Sequence, residues 1–314
     1  MAIPGQRNKM DKTLLHLEDV YKRYFNQNKK EFTVLNDIDL KVNEGEFVSL
    51  IGPSGCGKST LLRLILGSEQ PSEGIVHFDD KKIIGPDRNR GIVFQKYSLF
   101  PHLTILDNIA FGLDAEGFSI PGRIFTPFKY SKKKKEFRKE AQLYLERIGL
   151  KNDGNKYPHQ LSGGMRQRAA IAQSLIMKPK ILLMDEPFGA LDDSTRQDMQ
   201  LFLLEQWKKE QMTVFFVTHD LEEAIFLGSR IIVLSQYYKT DKDSNEGSKI
   251  VSDLKISEKT IKPTSFKYSK ECADLIKKVR HEGLDPEHKQ HIREFDLNHK
   301  DSFRTITQDE WNNK

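Results

Sequence analysis

The stretch "GEFVSLIGPSGCGKSTLLRLIL", residues 45–66, decides the fold. A short apolar run that reads as a strand ends in a glycine-rich segment, and "KSTLLRLIL" reads as the helix that follows. Between them "GPSGCGKS" satisfies G-x-x-x-x-G-K-[ST] in the strand–loop–helix setting that gives the pattern meaning. Glycines let the backbone wrap closely, so successive N–H groups point at one anion. The helix N-terminus adds positive potential at the same place. The segment therefore reads as a cradle for nucleotide phosphates made of Gly52, Pro53, Ser54, Gly55, Cys56, Gly57, Lys58, Ser59 and Thr60. Lys58 is expected to neutralise the β- and γ-phosphates of ATP, and Ser59 to hold Mg²⁺. Cys56 reads either as a small side chain or as an alkylation-sensitive thiol that blocks nucleotide.

Working outward, "TLLHLEDV" and "TVLNDIDLKV" read as strands before the cradle. "KILLMDE", "MTVFFVTH" and "SRIIVLS" read as buried parallel strands after it, which makes the core α/β. Ligands in such sheets bind beyond the carboxyl ends of the strands. Asp185 ends one run and is a candidate for Mg²⁺ or its water, with Glu186 as the general base that polarises an attacking water. His219 ends another and is a candidate γ-phosphate contact, although a lone histidine is more often structural. Gln95, closing "GIVFQ", is able to touch Mg²⁺ or the attacking water. Tyr24 offers an aromatic face for adenine, with Phe25 competing.

The chain has 314 residues, enough for one large domain or two modest ones. It is 37% hydrophobic with a mean hydropathy of -0.59, enough for a core and with no apolar run long enough to span a bilayer. The start, "MAIPGQRNKMDK", has no apolar h-region, so a cytosolic chain is expected. Two cysteines make no disulfide framework and no zinc site. A net charge of +5 permits contact with anions without requiring it. "KKKKEFRKEAQLYLERIGL" reads as an amphipathic helix with Phe137, Ala141, Tyr144, Leu145 and Ile148 on one face. The Pro/Gly/aromatic segment before it, residues 116–135, reads as an insertion loop ending in four lysines, and Lys132 to Lys135 as a solvated face. After residue 236, "KTDKDSNEGSK" reads as a polar linker and "ECADLIKKVRHEGL" as a helix with a glycine stop.

"LSGGMRQR", residues 161–168, at first resembles a redundant second phosphate cradle. Yet the phosphate loop, Gln95, "LSGGMRQR", "LLMDEP", "ALD" at 190–192 and "VTHD" occur in the order found in ABC-transporter ATP-binding subunits, and the resemblance covers roughly residues 14–236. "GPSGCGKSTLLRLI", "YPHQLSGGMRQR", "DEPFGALDDSTR" and "FVTHDLEEAIFL" are most similar to the nitrate/sulfonate/taurine importer group, while "LFPHLTILDNIAFGL" is closer to sugar and polyamine importers.

The resemblance implies a phosphate-loop ATPase core of α/β class with an antiparallel β subdomain and an inserted helical subdomain. It implies domain limits of 1–13 for a tail, 14–236 for the ATP-binding domain with a helical subdomain at about 96–178, and 237–314 for the linker and extension. Tyr24 then matches the adenine-stacking aromatic, Gln95 the residue that senses Mg²⁺ near the membrane subunit, and Asp192 the aspartate that joins two subunits. Ser162, Gly163 and Gly164 match a signature that binds the γ-phosphate of a nucleotide held by the other subunit.

Expected partners are a second copy or close paralogue, integral-membrane permease subunits and an extracytoplasmic solute-binding protein, with the chain peripheral on the cytoplasmic face of the membrane and no nucleic acid bound. The alternative is a soluble ABC ATPase acting on nucleic acid or in a cytosolic assembly. The segment 116–135 is longer than the usual link, Gln173 stands where arginine is common, and the tail is too short for the β-barrel of sugar importers.

Overall fold

The computed structural model describes residues 12–94, 99–117, 127–240, 246–256 and 261–303. Two sheets face one helix. The first is antiparallel, with strands β1 (Thr13–Phe25), β2 (Glu31–Asn43), β4 (Glu73–Phe78) and β5 (Lys81–Lys82) in the order β2–β1–β4–β5. The second holds β3 (Phe47–Ile51), β6 (Arg90–Val93), β7 (Ile181–Asp185), β8 (Thr213–Val217), β9 (Arg230–Ser235), β11 (Lys249–Lys255) and β13 (Asp296–Leu297). Its order is β13–β11–β9–β3–β8–β7–β6. Strands β9, β3, β8, β7 and β6 are mutually parallel. Such strands are covered on both faces, which is why "FVSLI", "TVFFV" and "RIIVLS" are apolar almost throughout and buried at every position.

Helix α1 (Lys58–Leu66) lies between the sheets, and Leu61, Leu62, Leu64 and Ile65 share a core with Leu15 and Leu17 of β1 and Leu183 of β7. On the other face of the large sheet lie α2 (Ile105–Gly117), α3 (Pro127–Arg147) and α4 (Gly163–Leu175). Ala141, Leu145 and Ile148 of the expected amphipathic face are buried there, and Phe137 packs at the edge. The described part of the expected insertion loop differs from that reading. Residues 116 and 117 end α2, and residues 127–135 are the first turns of α3, because their lysines and the glutamate, alanine and leucine that follow are strong helix formers and Pro127 occupies the first helical position, where its missing N–H costs nothing. Residues 118–126 lie outside the described residues.

Beyond residue 236 the chain returns to the core. Strand β11 adds antiparallel to β9, and β10 (Tyr238–Lys239) pairs in parallel with β12 (Gln290–His291) in a small third sheet. Helix α7 (Lys270–Val279) packs on α6 (Leu221–Leu227), and the buried Cys272 lies in a third apolar cluster with Ile225 and Val251. The join is sealed by a buried ion network. Arg230, 1% exposed, donates from Nε and a terminal nitrogen to the Asp253 carboxylate at 2.8 and 2.7 Å and from the other to Glu46 at 3.1 Å. Ser302 adds a hydroxyl donor to Asp253 at 2.7 Å.

The buried Lys262 donates to the carbonyls of Phe226 and Gly228, which closes the C-terminal end of α6. Burial pulls its ammonium down to about 8 from the ordinary 10.5.

Asp253→Ala leaves Arg230 buried with half its counter-charge, and denaturant unfolding should show a loss of about 3–5 kcal/mol; a loss under about 1 kcal/mol contradicts a sealed join. For Lys262 the folded state disfavours the ammonium, so the folded chain sheds the proton first. Wild type should therefore gain stability relative to Lys262→Met as pH rises through about 8 toward 10.5. The neutral amine still donates to the same carbonyls, and a pH-independent difference between the two melting curves refutes the assignment.

Candidate functional site

The phosphate loop leaves the end of β3 beside β9. A Cβ on Gly52 would stand 2.0 Å from the Leu234 carbonyl oxygen, so no larger residue fits the approach of loop to strand. Gly57, at φ 95°, is the N-cap of α1 and reverses the chain into the helix. At Gly55, φ 80°, a Cβ would meet nothing, so the crest of the loop faces open space. Below it, the first amides of α1 have no carbonyl a turn earlier to bond, which leaves donors for an anion. Lys58 Nζ lies over the loop, donating to the carbonyls of Gly52 at 2.8 Å and Pro53 at 2.9 Å. Cys56 is buried, and burial pushes its thiol up, so it fills space as a poorly nucleophilic side chain.

Ser59 and Asp185 meet at the floor of the site, with the hydroxyl donating to Asp185 Oδ2 at 2.7 Å. A hydroxyl and a carboxylate beside a phosphate cradle are the hard oxygen donors that suit Mg²⁺. Glu186 follows directly. Its φ of 47° puts a non-glycine residue in the left-handed region, and its N–H is held by the Val217 carbonyl at 2.9 Å. Strain of this kind persists only where the surroundings impose it. Its effect is to turn the Glu186 carboxylate off the strand line toward His219, whose Nδ1 lies 3.5 Å from Glu186 Oε1. His219 itself is 73% exposed, open to a ligand.

The turn carrying His219 is pinned by residues that the sequence reading did not single out. Thr218 donates its hydroxyl to Glu223 at 2.6 Å, Gln200 donates to the same carboxylate at 2.8 Å, and Asp220 caps α6 by accepting from the Glu223 N–H at 3.1 Å. Burial pushes the Glu223 carboxyl up, which those two donors oppose. The signal was present in "DLEE", since an acid followed three residues later by glutamate marks a helix start. Gln200 carried no local signal, because it comes from a different helix, α5 (Asp193–Glu210).

The signature residues stand apart from this cluster. Ser162 is the exposed N-cap of α4, accepting from the Met165 N–H at 3.3 Å, and Gly163 and Gly164 form the first turn. A Cβ on Gly164 would lie 3.2 Å from Leu191 Cδ2, so the signature rests on the loop of residues 190–192. Asp192 caps α5, and the Thr195 N–H at 3.0 Å holds its carboxyl below the usual range. Tyr24 closes β1 with its hydroxyl on Glu69 at 2.5 Å, its ring 6.1 Å from Phe32 and the Lys22 ammonium 5.0 Å from its centre. Phe25, the competitor, is 70% exposed. Gln95 lies outside the described residues. The structure thus brings together the phosphate loop, Asp185, Glu186 and His219, and presents Ser162, Gly163, Gly164 and Asp192 on a neighbouring surface of their own.

With this geometry in view, comparisons with known proteins are informative. A family described as "ABC transporter" matches residues 35–189. The nitrate import ATP-binding protein NrtD of Synechocystis is 40% identical over 273 residues, covering 84% of this chain and 96% of that protein. The bicarbonate transport ATP-binding protein CmpC of Synechococcus elongatus is 41% identical over 240 residues, 76% of this chain but only 33% of that longer protein. Among solved structures, the dimeric post-hydrolysis state of the ATP-binding cassette MJ0796, bound to ADP and Pi, superposes with a TM-score of 0.65 at 32% identity, covering 78% of this chain and 100% of that one.

The left-handed backbone at Glu186 generates a stability prediction. Glu186→Gly should raise the unfolding free energy by up to about 1 kcal/mol, since glycine adopts that conformation without strain. A destabilised variant in chemical denaturation shows that the carboxylate's contacts outweigh the backbone term.

Proposed function

From the premise that this chain belongs to the ABC transporter family as an ATP-binding and ATP-hydrolysing subunit, we propose that it energises uptake of a small solute of the nitrate/sulfonate/taurine type. The observation that carries the reading is the Ser59–Asp185 hydrogen bond with the Glu186–His219 pair beside it. That arrangement holds hard oxygen donors, a general base and an orienting imidazole at the mouth of one phosphate cradle. The similarity to nitrate and bicarbonate transport subunits supports the solute class. Among the described residues no helix is long and apolar enough to cross a membrane, so in this reading the chain works at the cytoplasmic face beside permease subunits, with an extracytoplasmic binding protein delivering solute.

In the proposed mechanism ATP lies with adenine against Tyr24 and its phosphates over the loop from Gly52 to Thr60. Lys58 leaves its carbonyl contacts for the β- and γ-phosphates, exchanging neutral acceptors for charged ones. Ser59 and Asp185, joined by Gln95, would hold Mg²⁺, which neutralises the charge that builds up in phosphoryl transfer. Glu186 takes a proton from the attacking water, and His219 fixes the Glu186 carboxylate and faces the γ-phosphate.

A second copy supplies Ser162, Gly163 and Gly164 to the same γ-phosphate, and Asp192 across the joint. Such pairing is isologous, so one two-fold axis completes two sites. Nucleotide closes the pair because it touches both copies only in the closed state. The helices α2 to α4 then pass that closure to the permease.

Glu186→Gln should still bind ATP, accumulate as a nucleotide-trapped dimer in size-exclusion chromatography and lose turnover by about 10²–10⁴-fold; near-normal hydrolysis removes Glu186 from the base role. Ser162→Arg should leave ATP affinity unchanged while removing both dimer and turnover, and a variant that instead loses ATP binding places the signature at its own loop. Reassembled with permease and binding protein, the ATPase should be stimulated by nitrate or a sulfonate, and indifference to both refutes the solute class.

A further inference from the structure

The outer face of the antiparallel sheet carries a cluster that ATP hydrolysis does not use. His16 of β1 and His77 of β4 are direct cross-strand partners. Glu18 lies two residues beyond His16 and so points to the same face. The burial pattern fixes which face this is. Leu15, Leu17, Val76 and Phe78 are buried, so the residues between them, His16 and His77, face outward. One ligand atom from each of His16, Glu18 and His77 lies within 4.8 Å of the others. Tetrahedral zinc with ligands near 2.0–2.1 Å needs donors about 3.3 Å apart, within reach of small χ adjustments of surface side chains. The register shift between Glu18 and Tyr21, with Asp19 at φ 49°, is a bulge that ends regular pairing just past Glu18, where bulges commonly re-aim a side chain.

We propose that His16, Glu18 and His77 form a binding site for a divalent transition metal of the zinc class, with three protein ligands and one position left to water. Two imidazoles and a carboxylate are the donor set that zinc takes in open sites, and imidazole excludes Mg²⁺ and Ca²⁺ as the preferred occupant.

The surroundings define the site further. The Phe303 ring from the C-terminal segment stacks on His16 at 6.4 Å and 26°, giving the site an apolar wall. Lys41, the partner of His16 on β2, places its ammonium 4.9 Å from the Phe303 ring, where its charge opposes a cation and weakens binding. A bound metal would tie β1 to β4 and, through Phe303, hold the last described turn of the chain against the sheet. At about 3.3 Å per residue, the run of β1 from His16 to Tyr24 spans roughly 25 Å, so this site is distinct from the nucleotide contacts.

The test uses the full chain, stripped with EDTA and free of nucleotide and Mg²⁺, titrated with Co²⁺ and then displaced by Zn²⁺. The expected result is saturation at one equivalent with the intense visible bands of tetrahedral Co²⁺ and no thiolate charge transfer. His16→Ala and His77→Ala should each weaken binding at least about tenfold, and Glu18→Gln should weaken it less. Lys41→Met should tighten it. His299→Gln, in the buried Glu46–His299–Asp301 cluster, should bind as wild type does. The ligand positions are on the surface, and matching EDTA-state melting curves check that the variants fold; where an alanine variant fails that check, the glutamine variant replaces it. Absence of saturable binding in the micromolar range overturns the site, as does unchanged affinity in the His16→Ala/His77→Ala double variant.

Discussion

The chemistry of this protein depends on one constraint: three parallel strands must end at the same edge of the sheet. Strands β3 and β8 pair in register from Phe47 with Val214 to Leu50 with Val217, and β8 and β7 from Thr213 with Ile181 to Val217 with Asp185. Each strand therefore delivers its next residues to one line: the phosphate loop from β3, Asp185 and Glu186 from β7, and His219 from β8. The Ser59–Asp185 hydrogen bond is the visible result, because it reaches across β8 to join groups whose strands are not neighbours. A one-residue slip in either pairing would reverse the faces of a strand and part the two groups. These strands are buried on both faces, so burial alone does not fix their register; a slip would instead misfit side chains of different size in the two close-packed cores they separate.

Much of this was legible in the sequence because the signals were local. The expected helix after the loop has the bounds observed for α1, as the glycine before Lys58 and the apolar spacing after it are both short-range features. The strand-end acids and His219 lay at the ends of apolar runs and could be placed without knowing the pairing. The network behind His219 was not legible in the same way, since Gln200 reaches Glu223 from another helix. In the C-terminal segment the helix "ECADLIKKV" was legible from its spacing, but the strand was not, for a different reason. "KIVSDLK" mixes charges into a strand, and only the structure shows that Asp253 is there for Arg230 and that Lys249 is buried against Asp37 at 3.3 Å. A charge whose partner lies far along the chain looks, in sequence, like a solvated residue. The segment before the lysine run misled for another reason, because its proline, glycine and aromatic residues suggested a loop where residues 127–135 already begin a helix.

The C-terminal segment also bears on the turn that carries His219. Helix α6 begins at the turn that carries His219, and its far end is held by Lys262 on two carbonyls. Lys267 lies over Phe226 of the same helix at 4.6 Å and donates to Gln200 at 3.0 Å. Both ends of the helix are thus fixed, one by the network of Thr218, Gln200 and Glu223 and the other by residues beyond the domain boundary expected from sequence. A helix of this length, Leu221–Leu227, would not be stable alone. Its order, and with it the position of the imidazole near Glu186, comes from tertiary contacts.

The two glycine-rich helix starts can now be compared on physical grounds. Both α1 and α4 present free amides and positive potential, so either could take a phosphate. At α1 those donors are accompanied by a lysine, a hydroxyl, two carboxylates and an imidazole. At α4 they are accompanied by a self-capping serine and a loop aspartate engaged with its own helix. A phosphate bound at α4 alone would have charge stabilisation from one helix end and no base, which is too little for hydrolysis. In the proposed pairing, the same helix end brought against a nucleotide seated at an α1 site would add further amide donors to its phosphates. Incompleteness of each start on its own, and their complementarity as a pair, is the physical argument for two copies acting together.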